Sequence, residues 1–551
     1  MRALVLIPLL AGCLEVPSGQ GQQCSIDTDC NTAAGEACYE GLCYGDPPLG
    51  MYAATLSAPV SREDLIATEI PDLVLPANGD LGDLALEAPV TFSGRIEAAC
   101  LGQTPCTTDS IGAQIRITRP SRFSGGPALR LVAVSKAGVP RGTDSFSIPI
   151  PRTHPGDAPY VVTIDPEGGG DLPPTHGGKD PAQIVPPKRI VVVADGDLSH
   201  QTYTLGSSAQ ISGVIKDGLG TYLTKYRVVA LGRWETNGAT TEVSSVAYST
   251  DGTYSIALSE DTVGPVELVA RPYDPQTVAP ELHVPMVEAS TQTKNILQPT
   301  GIGSRVDVEI PIEALAGDGS VKPVSGAHVV VTGSTATVFS SGARADVVAE
   351  AITQDDGIAR LSLLDGDALV TSYRIRVVPP ASSNAGIVYD GVVDVPEPAS
   401  VRLPQRVAIR GSVVDVDGHP LGDVSVTARR SLRFLWSLAT EDQKFLDEIP
   451  AATAITPETG EFVIWIDPVV ATIWGHYDLL FETPDSSPAP NWLIPDFEIP
   501  RIPGQMTISL DTVTIPAAAR VHARIVDANG GAVEGSDLRV FRISDNQALC
   551  D

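Results

Sequence analysis

Short runs in which apolar and polar residues alternate fill most of the chain after residue 89. Alternation with a period of two places one set of side chains on a buried face, which is typical of β-strands. Turns with an acidic residue before glycine, such as Asp251-Gly252 and Asp356-Gly357, separate these runs. Asp-Gly supplies the positive φ that tight hairpins require. Many short strands with regular turns predict an all-β fold of β-sandwiches rather than a parallel sheet.

The order of these strands and turns repeats at intervals of about one hundred residues, which indicates tandem modules. In each copy an alternating strand leads through a turn to a second strand. A turn with an acidic residue before glycine then precedes another strand, and a final strand ends near proline. The predicted modules are β-sandwich 1 at 90–190, β-sandwich 2 at 191–300, β-sandwich 3 at 301–403, β-sandwich 4 at 404–516 and a partial β-sandwich 5 at 517–551.

The fifth copy starts at Val521 and stops before its second half. It is either a fragment or an incomplete module with an exposed strand edge, and exposed edges invite pairing with another chain. Residues 46–89, rich in Pro, Asp, Gly and Ala, predict a Pro-rich linker that holds the modules away from the N-terminus. A short helix from Ser61 to Glu69 is expected inside it, because Ser61 is a good N-cap.

The motif of the fourth copy is Gly411-Ser-Val-Val-Asp415-x-Asp-Gly418-x-Pro-Leu421, followed by a Thr459-Gly460-Glu-Phe turn. It resembles the carboxypeptidase regulatory-like family of seven-stranded, immunoglobulin-like sandwiches. Copies two and five carry the same outline with gaps, and copies one and three depart further. The resemblance implies an accessory domain and brings no catalytic residue, since a fold by itself does not specify a function.

The first residues have the layout of a secretory signal, with Arg2, a short apolar run and then small residues. That run is far shorter than the roughly 20 residues that span a bilayer. Leu10-Ala11-Gly12-Cys13 resembles the bacterial lipobox. The resemblance implies that residues 1–12 are a signal peptide, that Cys13 carries diacylglycerol, and that its new amino group is acylated, commonly with palmitate. The alternative is an ordinary signal peptide with a chance cysteine.

The anchor implied at Cys13 predicts a lipid-anchored protein of the cell envelope, because several acyl chains hold a protein firmly at a membrane. Leu14 follows the cysteine instead of Asp, which favours the cell outer membrane, either periplasmic or surface-exposed. Lipid would be the contact with the membrane. The formal net charge of −30 argues against nucleic acid as a partner, because an acidic surface repels phosphates.

Residues 13–45 combine the lipid anchor with a cysteine-rich module, similar to small modules near the lipidated end of many bacterial surface lipoproteins. An exported chain meets an oxidising environment, so disulfides are expected. We favour the interleaved pairing of Cys24 with Cys38 and Cys30 with Cys43 among three alternatives. A zinc site is disfavoured because there is no Cys-x2-Cys pair and no neighbouring histidine.

Cysteines outside that module and the remaining polar motifs predict little chemistry. Cys100 and Cys106 are expected to form a local disulfide loop, and Cys550 is left over. The sequence has no His-Glu-x-x-His, no Gly-x-Ser-x-Gly and no phosphate-binding loop. Asp415-Val-Asp417-Gly418 suggests calcium, yet it lacks later ligands, and a hairpin turn is the better account. No enzyme activity, metal or cofactor is predicted.

The sequence therefore predicts a non-catalytic cell-envelope lipoprotein that displays β-sandwiches for structural support or for interaction with an envelope protein or glycan. One alternative is an adhesive carbohydrate-binding protein, although aromatic residues make up only 5% of the chain. Another is the accessory region of an exported enzyme. The insert at 432–449, with Phe434, Trp436 and Phe445, is the best candidate for a binding edge. The same aromatic residues would otherwise cover a sandwich core.

Overall fold

A computed structural model shows the chain as a series of antiparallel and mixed β-sheets that pair into sandwiches. It describes residues 24–30, 32, 37–39, 42–44, 51–75, 80–99, 109–123, 128–173, 180–236, 238–274, 279–315, 320–335, 343–365, 373–380, 383–395, 397–431, 449, 451–467, 469–470, 473–474, 476–484, 487, 489–499, 507–516, 518–519, 521–544 and 547–548. Within these residues no helix is long and apolar enough to cross a membrane.

The cysteine-rich module contains a short 3₁₀ helix, Asp27–Asp29, and an antiparallel hairpin of β1 (Ala37–Tyr39) and β2 (Leu42–Tyr44). Cys38 lies opposite Cys43 in the register of this hairpin. Such a short segment buries little apolar surface, so covalent cross-links must supply the stability that a core supplies elsewhere.

Strands β3 to β5 follow the cysteine-rich module and lie within the segment that the sequence predicts to be a linker. They are β3 (Met51–Ser57), β4 (Thr68–Leu73) and β5 (Asp80–Ala85). Instead of forming a module with the strands that come next in the chain, they pair with the last strands of the chain, as described below.

The first sandwich packs the sheet β12-β6-β9 against the sheet β11-β10-β7-β8. Alternation produces its core, since every second residue of β7 is buried. The strands are β6 (Val90–Ala98), β7 (Ala113–Arg119), β8 (Leu129–Ser135), β9 (Phe146–Ile150), β10 (Tyr160–Pro166), β11 (Lys188–Val192) and β12 (Leu198–Leu205).

The second sandwich places β13, with β17, β20 and β21, over a sheet built on β14, β18 and β19. A single cluster of apolar side chains fills the space between these sheets. The strands are β13 (Ser207–Lys216), β14 (Tyr226–Arg233), β15 (Thr241–Glu242), β16 (Ala247–Ser249), β17 (Thr253–Ser259), β18 (Val263–Pro272), β19 (Glu281–Val287), β20 (Gln292–Thr293) and β21 (Ile296–Leu297).

The third sandwich places β22, with β23, β26 and β29, over the strands β25-β24-β27-β28. Its outer strand β25 pairs with β19, so one nine-stranded sheet runs through the second and third sandwiches. The strands are β22 (Arg305–Leu315), β23 (Val321–Pro323), β24 (His328–Ser334), β25 (Arg344–Ile352), β26 (Ile358–Leu364), β27 (Arg374–Val378), β28 (Val388–Val392) and β29 (Val401–Leu403).

The fourth sandwich packs the sheet β33-β30-β38 against the sheet β32-β31-β36-β37. The pair β34-β35 forms a separate hairpin. The strands are β30 (Val407–Val414), β31 (Ser425–Arg430), β32 (Ala452–Ile455), β33 (Glu461–Ile466), β34 (Val469–Val470), β35 (Ile473–Trp474), β36 (His476–Glu482), β37 (Trp492–Glu498) and β38 (Thr507–Thr514).

A buried tyrosine stands at the same place in the first, third and fourth sandwiches. The hydroxyls of Tyr160, Tyr373 and Tyr477 donate to main-chain oxygens about ten residues upstream, near the end of the preceding long strand. The oxygen acceptors are those of Pro151, Leu364 and Asp467, at 2.7, 2.7 and 2.8 Å. This tyrosine corner is a hallmark of immunoglobulin-like sandwiches, and the predicted fold class is confirmed.

The remaining strands, β39 (His522–Val526), β40 (Asp537–Ser544) and β41 (Gln547–Ala548), complete a module with residues from the other end of the chain. Strand β3 pairs antiparallel with β40 from Met51↔Ile543 to Ser57↔Asp537, and β5 pairs parallel with β39. We call this module, formed by residues 51–87 and 522–548, the split sandwich. It holds apolar cores on both sides of Ile70, Leu81 and Leu538.

The split sandwich corrects two predictions. Residues 46–89 are not only a linker, since three of their segments are strands, and the partial fifth sandwich is completed by them. The expected helix from Ser61 to Glu69 is wrong, because turns occupy its start and Glu69 lies in β4. The prolines of this segment favoured a linker over strands in the prediction. Pro71, however, lies in β4 at the edge of its sheet, where a missing N–H removes no ladder hydrogen bond.

Candidate functional site: charged junctions between the sandwiches

The acidic turn at Asp415 is a hairpin loop that is stabilised by hydrogen bonds to the carboxylate of Asp415. Asp415 Oδ1 accepts hydrogen bonds from the backbone N–H groups of Asp417 and His419 at 2.9 and 2.8 Å. Gly418 adopts φ +82°, as a tight turn requires. Asp217 and Asp527 accept from the loop N–H groups in the same way. These bonds lower the pKa of Asp217 and Asp527, since they stabilise the ionised carboxylate.

The cysteine-rich module contains the disulfide Cys24–Cys38, one of the two favoured pairs. Cys30 is also disulfide-bonded. Its pairing with Cys43 stays a prediction. The carboxylate of Asp29 accepts from the N–H groups of Ser25 and Ile26 at 2.7 and 3.1 Å, so it shapes the turn between the cysteines. A sulfur in a disulfide is no thiolate ligand, which favours the disulfide framework over zinc.

Several predicted sites lie outside the described residues. They are the lipobox residues Leu10, Ala11 and Gly12 with the lipidation site Cys13, the pair Cys100 and Cys106, Cys550, and the aromatic insert at 432–448. Each of these stays a prediction. Within the described residues, polar side chains bind one another at the junctions where one sandwich meets the next. The sequence pattern did not identify these side chains.

The junction between the split sandwich and the first sandwich is built around Glu69 of β4. Its carboxylate lies 3.3 Å from Arg119 Nη2 and accepts a 2.6 Å hydrogen bond from Ser121 Oγ. Asp157 binds Arg119 and Arg122 on the same side, at 3.4 and 2.9 Å. The Arg119 side chain is only 4% exposed. A buried guanidinium needs such partners, so these contacts hold the two modules in one orientation.

The junction between the first and second sandwiches uses the segment before β11, in which Pro181–Gln183 form a short 3₁₀ helix. Ala182, in a short 3₁₀ helix, packs on Val229, Val246 and Val269 of the second sandwich. Arg227 donates to the main-chain oxygen of Gly169 at 2.8 Å. This segment is therefore fixed against the second sandwich by apolar contact and hydrogen bonds.

The junction between the second and third sandwiches contains a histidine enclosed by carboxylates. His283 Nδ1 lies 3.0 Å from Glu267 Oε1, and its Nε2 lies 3.1 Å from Glu281 Oε1 and 3.3 Å from Asp346 Oδ2. Strands β18, β19 and β25 supply these residues. Arg271 and Arg344 bind Glu281 and Asp346 from outside. We call these six residues the His283 cluster.

Protonated His283 balances the charge of its cluster. Burial opposes the charged imidazole, but hydrogen bonds with Glu267 and Glu281 outweigh it and raise the pKa of His283 to about 9. For Glu281 burial likewise favours the neutral form, and hydrogen bonds with His283 and Arg271 lower the pKa of that carboxyl to about 2. Near neutral pH the cluster thus holds three cations and three anions, without net charge, where the second and third sandwiches join their strands in one sheet.

Alkaline pH is expected to loosen this junction. The folded-state pKa of His283 lies above its ordinary value of 6.5, so its contribution is complete below pH 6.5 and is lost as the pH rises through 9. Loss of this contribution should lower the free energy of unfolding by about 2–3 kcal/mol. Hydrogen exchange of β19 and β25, corrected for intrinsic rates, should therefore show less protection at pH 9.5 than at pH 7.

The variant His283→Gln should remove most of this pH dependence, since glutamine carries no titrating proton. His328→Gln is the matched control, because His328 is a partly exposed histidine on β24 of the same sheet. Equal loss of protection in the wild type and in His283→Gln between pH 7 and pH 9.5 would show that His283 does not stabilise the junction.

The junction between the third and fourth sandwiches centres on Asp467, which follows β33. Its Oδ1 accepts from the N–H of Ile387 at 3.0 Å and lies 3.4 Å from Arg406 Nε. Arg430 Nη2 is 3.7 Å from Oδ2. The three charged side chains are 6–8% exposed. One buried carboxylate therefore links Ile387, directly before β28 of the third sandwich, to Arg406 and Arg430 at the fourth.

Sequence reasoning missed these junction residues because single charges in alternating strands resemble an ordinary solvent face. A usable signal was present for Arg119 and Asp467. Arg119 takes a buried position at the end of β7 and Asp467 follows β33 directly, and a charge at either place needs a buried partner. The identity of that partner depends on tertiary contacts between modules, which no local pattern contains.

Comparisons with known proteins give distant similarities to solved structures only. No family model matches the chain, and no curated protein matches it. Among solved structures, the Bacillus anthracis TIE protein is 9% identical, with 79% of this chain and 74% of that chain covered and a TM-score of 0.16. GBS52, the minor pilin of Streptococcus agalactiae, is 15% identical, with 40% and 99% covered and a TM-score of 0.21. The shaft pilin SpaA from Lactobacillus rhamnosus GG is 13% identical, with 40% and 100% covered and a TM-score of 0.20. These values are too low to carry an argument about what this chain does.

Proposed function

We propose that this protein is a non-catalytic lipoprotein of the cell envelope that presents a stiff set of β-sandwiches for structural support or for contact with another envelope component. Lipid on Cys13 is the proposed attachment to the membrane, with the outer membrane as the proposed location. The observation that carries the structural role is the set of bonded junctions: each pair of neighbours from the split sandwich to the fourth shares hydrogen bonds or ion pairs.

Bonded junctions support a mechanical role because independent modules on flexible linkers have no need of them. Interfaces between domains of one chain allow relative motion unless contacts restrict it. Here a shared sheet joins the second and third sandwiches, and buried charges join the others. Each buried charge would be costly if its neighbour moved away, so relative motion of the modules is opposed.

The lipid anchor is tested by expressing the full chain in a bacterium with an alkyne-labelled fatty acid. Wild type should incorporate the label and partition with membranes. Cys13→Ser should lose the label and appear in the soluble fraction. Cys550→Ser is the matched control, since it removes another cysteine outside the cysteine-rich module. Label that persists on Cys13→Ser would contradict the proposed anchor.

The mechanical role has a separate test. Small-angle scattering of the soluble Cys13→Ser chain should fit one rigid shape at pH 7, because the junctions restrict motion between modules. The double variant Arg119→Ala and Asp467→Ala should broaden the distribution of sizes, whereas exposed Arg374→Ala should not. A wild-type profile typical of freely jointed modules would contradict the mechanical role and leave the lipid anchor unaffected.

A further inference from the structure

Strand β8 forms one edge of the sheet β11-β10-β7-β8 in the first sandwich. It pairs antiparallel with β7 over all seven of its residues, and with no other strand of the described part of the chain. Apolar side chains occupy both of its faces. Leu129, Leu131 and Ala133 pack against the core and are only partly buried. On the outer face, Val132 and Val134 are 56% and 66% exposed.

Several other edge strands carry features that discourage further pairing. Strand β9 contains Pro149 and β37 contains Pro495, and proline has no N–H to donate to another strand. Strand β11, at the opposite edge of the same sheet, carries Lys188 and Arg189. Strand β8 has no proline, no glycine and no bulge in its pairing with β7, and Arg130 is its only charged residue. A long, flat and apolar edge of this kind is a template for pairing with another strand.

The third sandwich shows which partner such an edge accepts. Its strands β25-β24-β27-β28 have the same order as β8-β7-β10-β11, in the sheet and along the chain, so β25 is the equivalent of β8. Strand β25 pairs with β24 on one side and with β19 of the second sandwich on the other. That second pairing is antiparallel and places Leu282 opposite Ala345. The edge of β8 therefore fits an antiparallel strand from another sandwich.

We propose that β8 is a self-association site, at which two copies of this chain pair their β8 strands antiparallel about a two-fold axis. The axis passes beside Val132, so this residue lies opposite its own counterpart, and Arg130 lies opposite Val134 of the second copy. The two sheets become one continuous sheet across both chains. This inference goes beyond the proposed function, and it depends neither on lipid at Cys13 nor on the bonded junctions.

Length and charge set the register. A two-fold antiparallel pair is centred on one residue, because side chains opposite each other must share a face of the sheet. Centring on Val132 pairs all seven residues of β8, and any other centre pairs fewer of them. Centring on Ala133 would also place Arg130 opposite Lys136, and like charges directly opposite destabilise a sheet.

The same register covers the apolar side chains that a single copy leaves exposed. Val132 packs on its counterpart, and Val134 packs on the aliphatic part of Arg130 from the second copy. On the inner face Leu131 lies opposite Ala133, which extends the core across the axis. One pair of strands is a small interface, so we expect a weak dimer in solution and a more abundant one where copies are concentrated at a surface.

Cross-linking tests the register in the soluble Cys13→Ser chain. Val132→Cys should form a disulfide between two copies under mild oxidation, because Cβ atoms directly opposite in an antiparallel pair are about 4.5–5.5 Å apart. Val134→Cys alone should cross-link at least about tenfold less, since the two copies of residue 134 lie roughly 14 Å apart along the strands. A mixture of Val134→Cys and Arg130→Cys chains should cross-link as Val132→Cys does. Non-reducing electrophoresis measures the dimer.

Val348→Cys is the matched control for random collision. Val348 is also an exposed valine, at 62%, but it lies on β25, which is paired on both sides. The dimer of Val132→Cys should exceed that of Val348→Cys at least about tenfold, because pairing holds the two thiols at a high effective concentration.

Sedimentation at increasing protein concentration tests association without a cross-link. The mass of the Cys13→Ser chain should rise from monomer towards dimer. Val132→Lys should keep the mass of a monomer, because two ammonium groups would lie directly opposite, whereas Val348→Lys should associate like its parent. Val132 is exposed in the single chain, so unchanged thermal unfolding at low concentration checks that Val132→Lys is folded.

Several results would overturn the proposal. One is a Val132→Cys dimer no more abundant than that of Val348→Cys or Val134→Cys. Another is a parent chain that stays monomeric at every concentration, and a third is association of Val132→Lys like that of its parent, which would assign the contact to another surface. None of these results changes the fatty-acid labelling expected at Cys13 or the rigid shape expected for monomeric Val132→Lys, so failure of this inference is distinguishable from failure of the proposed function.

Discussion

Replacing Leu56 with Asp should unfold strands β39 and β40, although these strands lie at the far end of the sequence. Leu56 is fully buried in β3, within the core that also contains Leu84, Leu86 and Val533. A carboxylate there has no partner among its apolar neighbours, so the free energy of unfolding of the split sandwich should fall by several kcal/mol, roughly 3–5 kcal/mol. Hydrogen exchange and limited proteolysis of residues 522–544 measure the effect.

Val60→Asp is the matched control for this experiment. Val60 belongs to the same segment and is 98% exposed, so the same substitution should leave residues 522–544 protected. If residues 46–89 were only a linker, both variants would behave alike. Intact protection of β40 in Leu56→Asp would therefore contradict the pairing of β3 with β40.

Replacing Asp467 with Ala should have a comparable effect at the junction between the third and fourth sandwiches. The change leaves Arg406 and Arg430 without the buried carboxylate that they share, and the N–H of Ile387 without its acceptor. Breaking a buried ion pair by removing one member costs about 3–5 kcal/mol. Thermal unfolding should begin at a lower temperature, and exchange should increase first near Ile387.

Asp390→Ala is the control for that variant, because Asp390 pairs with Arg374 at the surface, where an ion pair contributes little. Asp467→Asn separates charge from hydrogen bonding, since the amide oxygen still accepts from Ile387. Equal melting temperatures for Asp467→Ala and Asp390→Ala would show that the buried network does not join the two sandwiches.

Period-two alternation was sufficient to predict the strands of the sandwiches. The pattern in Ala113–Arg119, with every second side chain buried, is visible in the sequence, and so is the turn at Thr459-Gly460. The hairpin loop at Asp415 was also predicted correctly, because an Asx turn needs only local residues. Local patterns thus predicted the fold class. The pairing of Cys24 with Cys38, favoured among three alternatives, is confirmed.

The pairing of β3 with β40 could not be predicted in the same way. Met51–Ser57 has a strand-like pattern, yet its partner lies almost at the other end of the sequence, and Arg62 contacts Asp527 across 465 residues. Nothing in either segment identifies the other. The His283 cluster shares this difficulty in part, since Asp346 reaches His283 only after two sandwiches join their sheets.

The split sandwich has a consequence for the time at which the protein becomes fully folded. Its strands β3 to β5 precede the four continuous sandwiches and β39 and β40 follow them, so the two groups cannot pair until all four sandwiches have been synthesised. Contacts between such distant residues form slowly, because a long loop must close before they contribute stability. The four continuous sandwiches can fold in the order of synthesis, and during that time the edge of β3 that pairs with β40 stays unpaired. The split sandwich can therefore form only after β39 and β40 have been synthesised. A chain that stops before them would keep the edge of β3 unpaired, close to the cysteine-rich module and open to pairing with other chains.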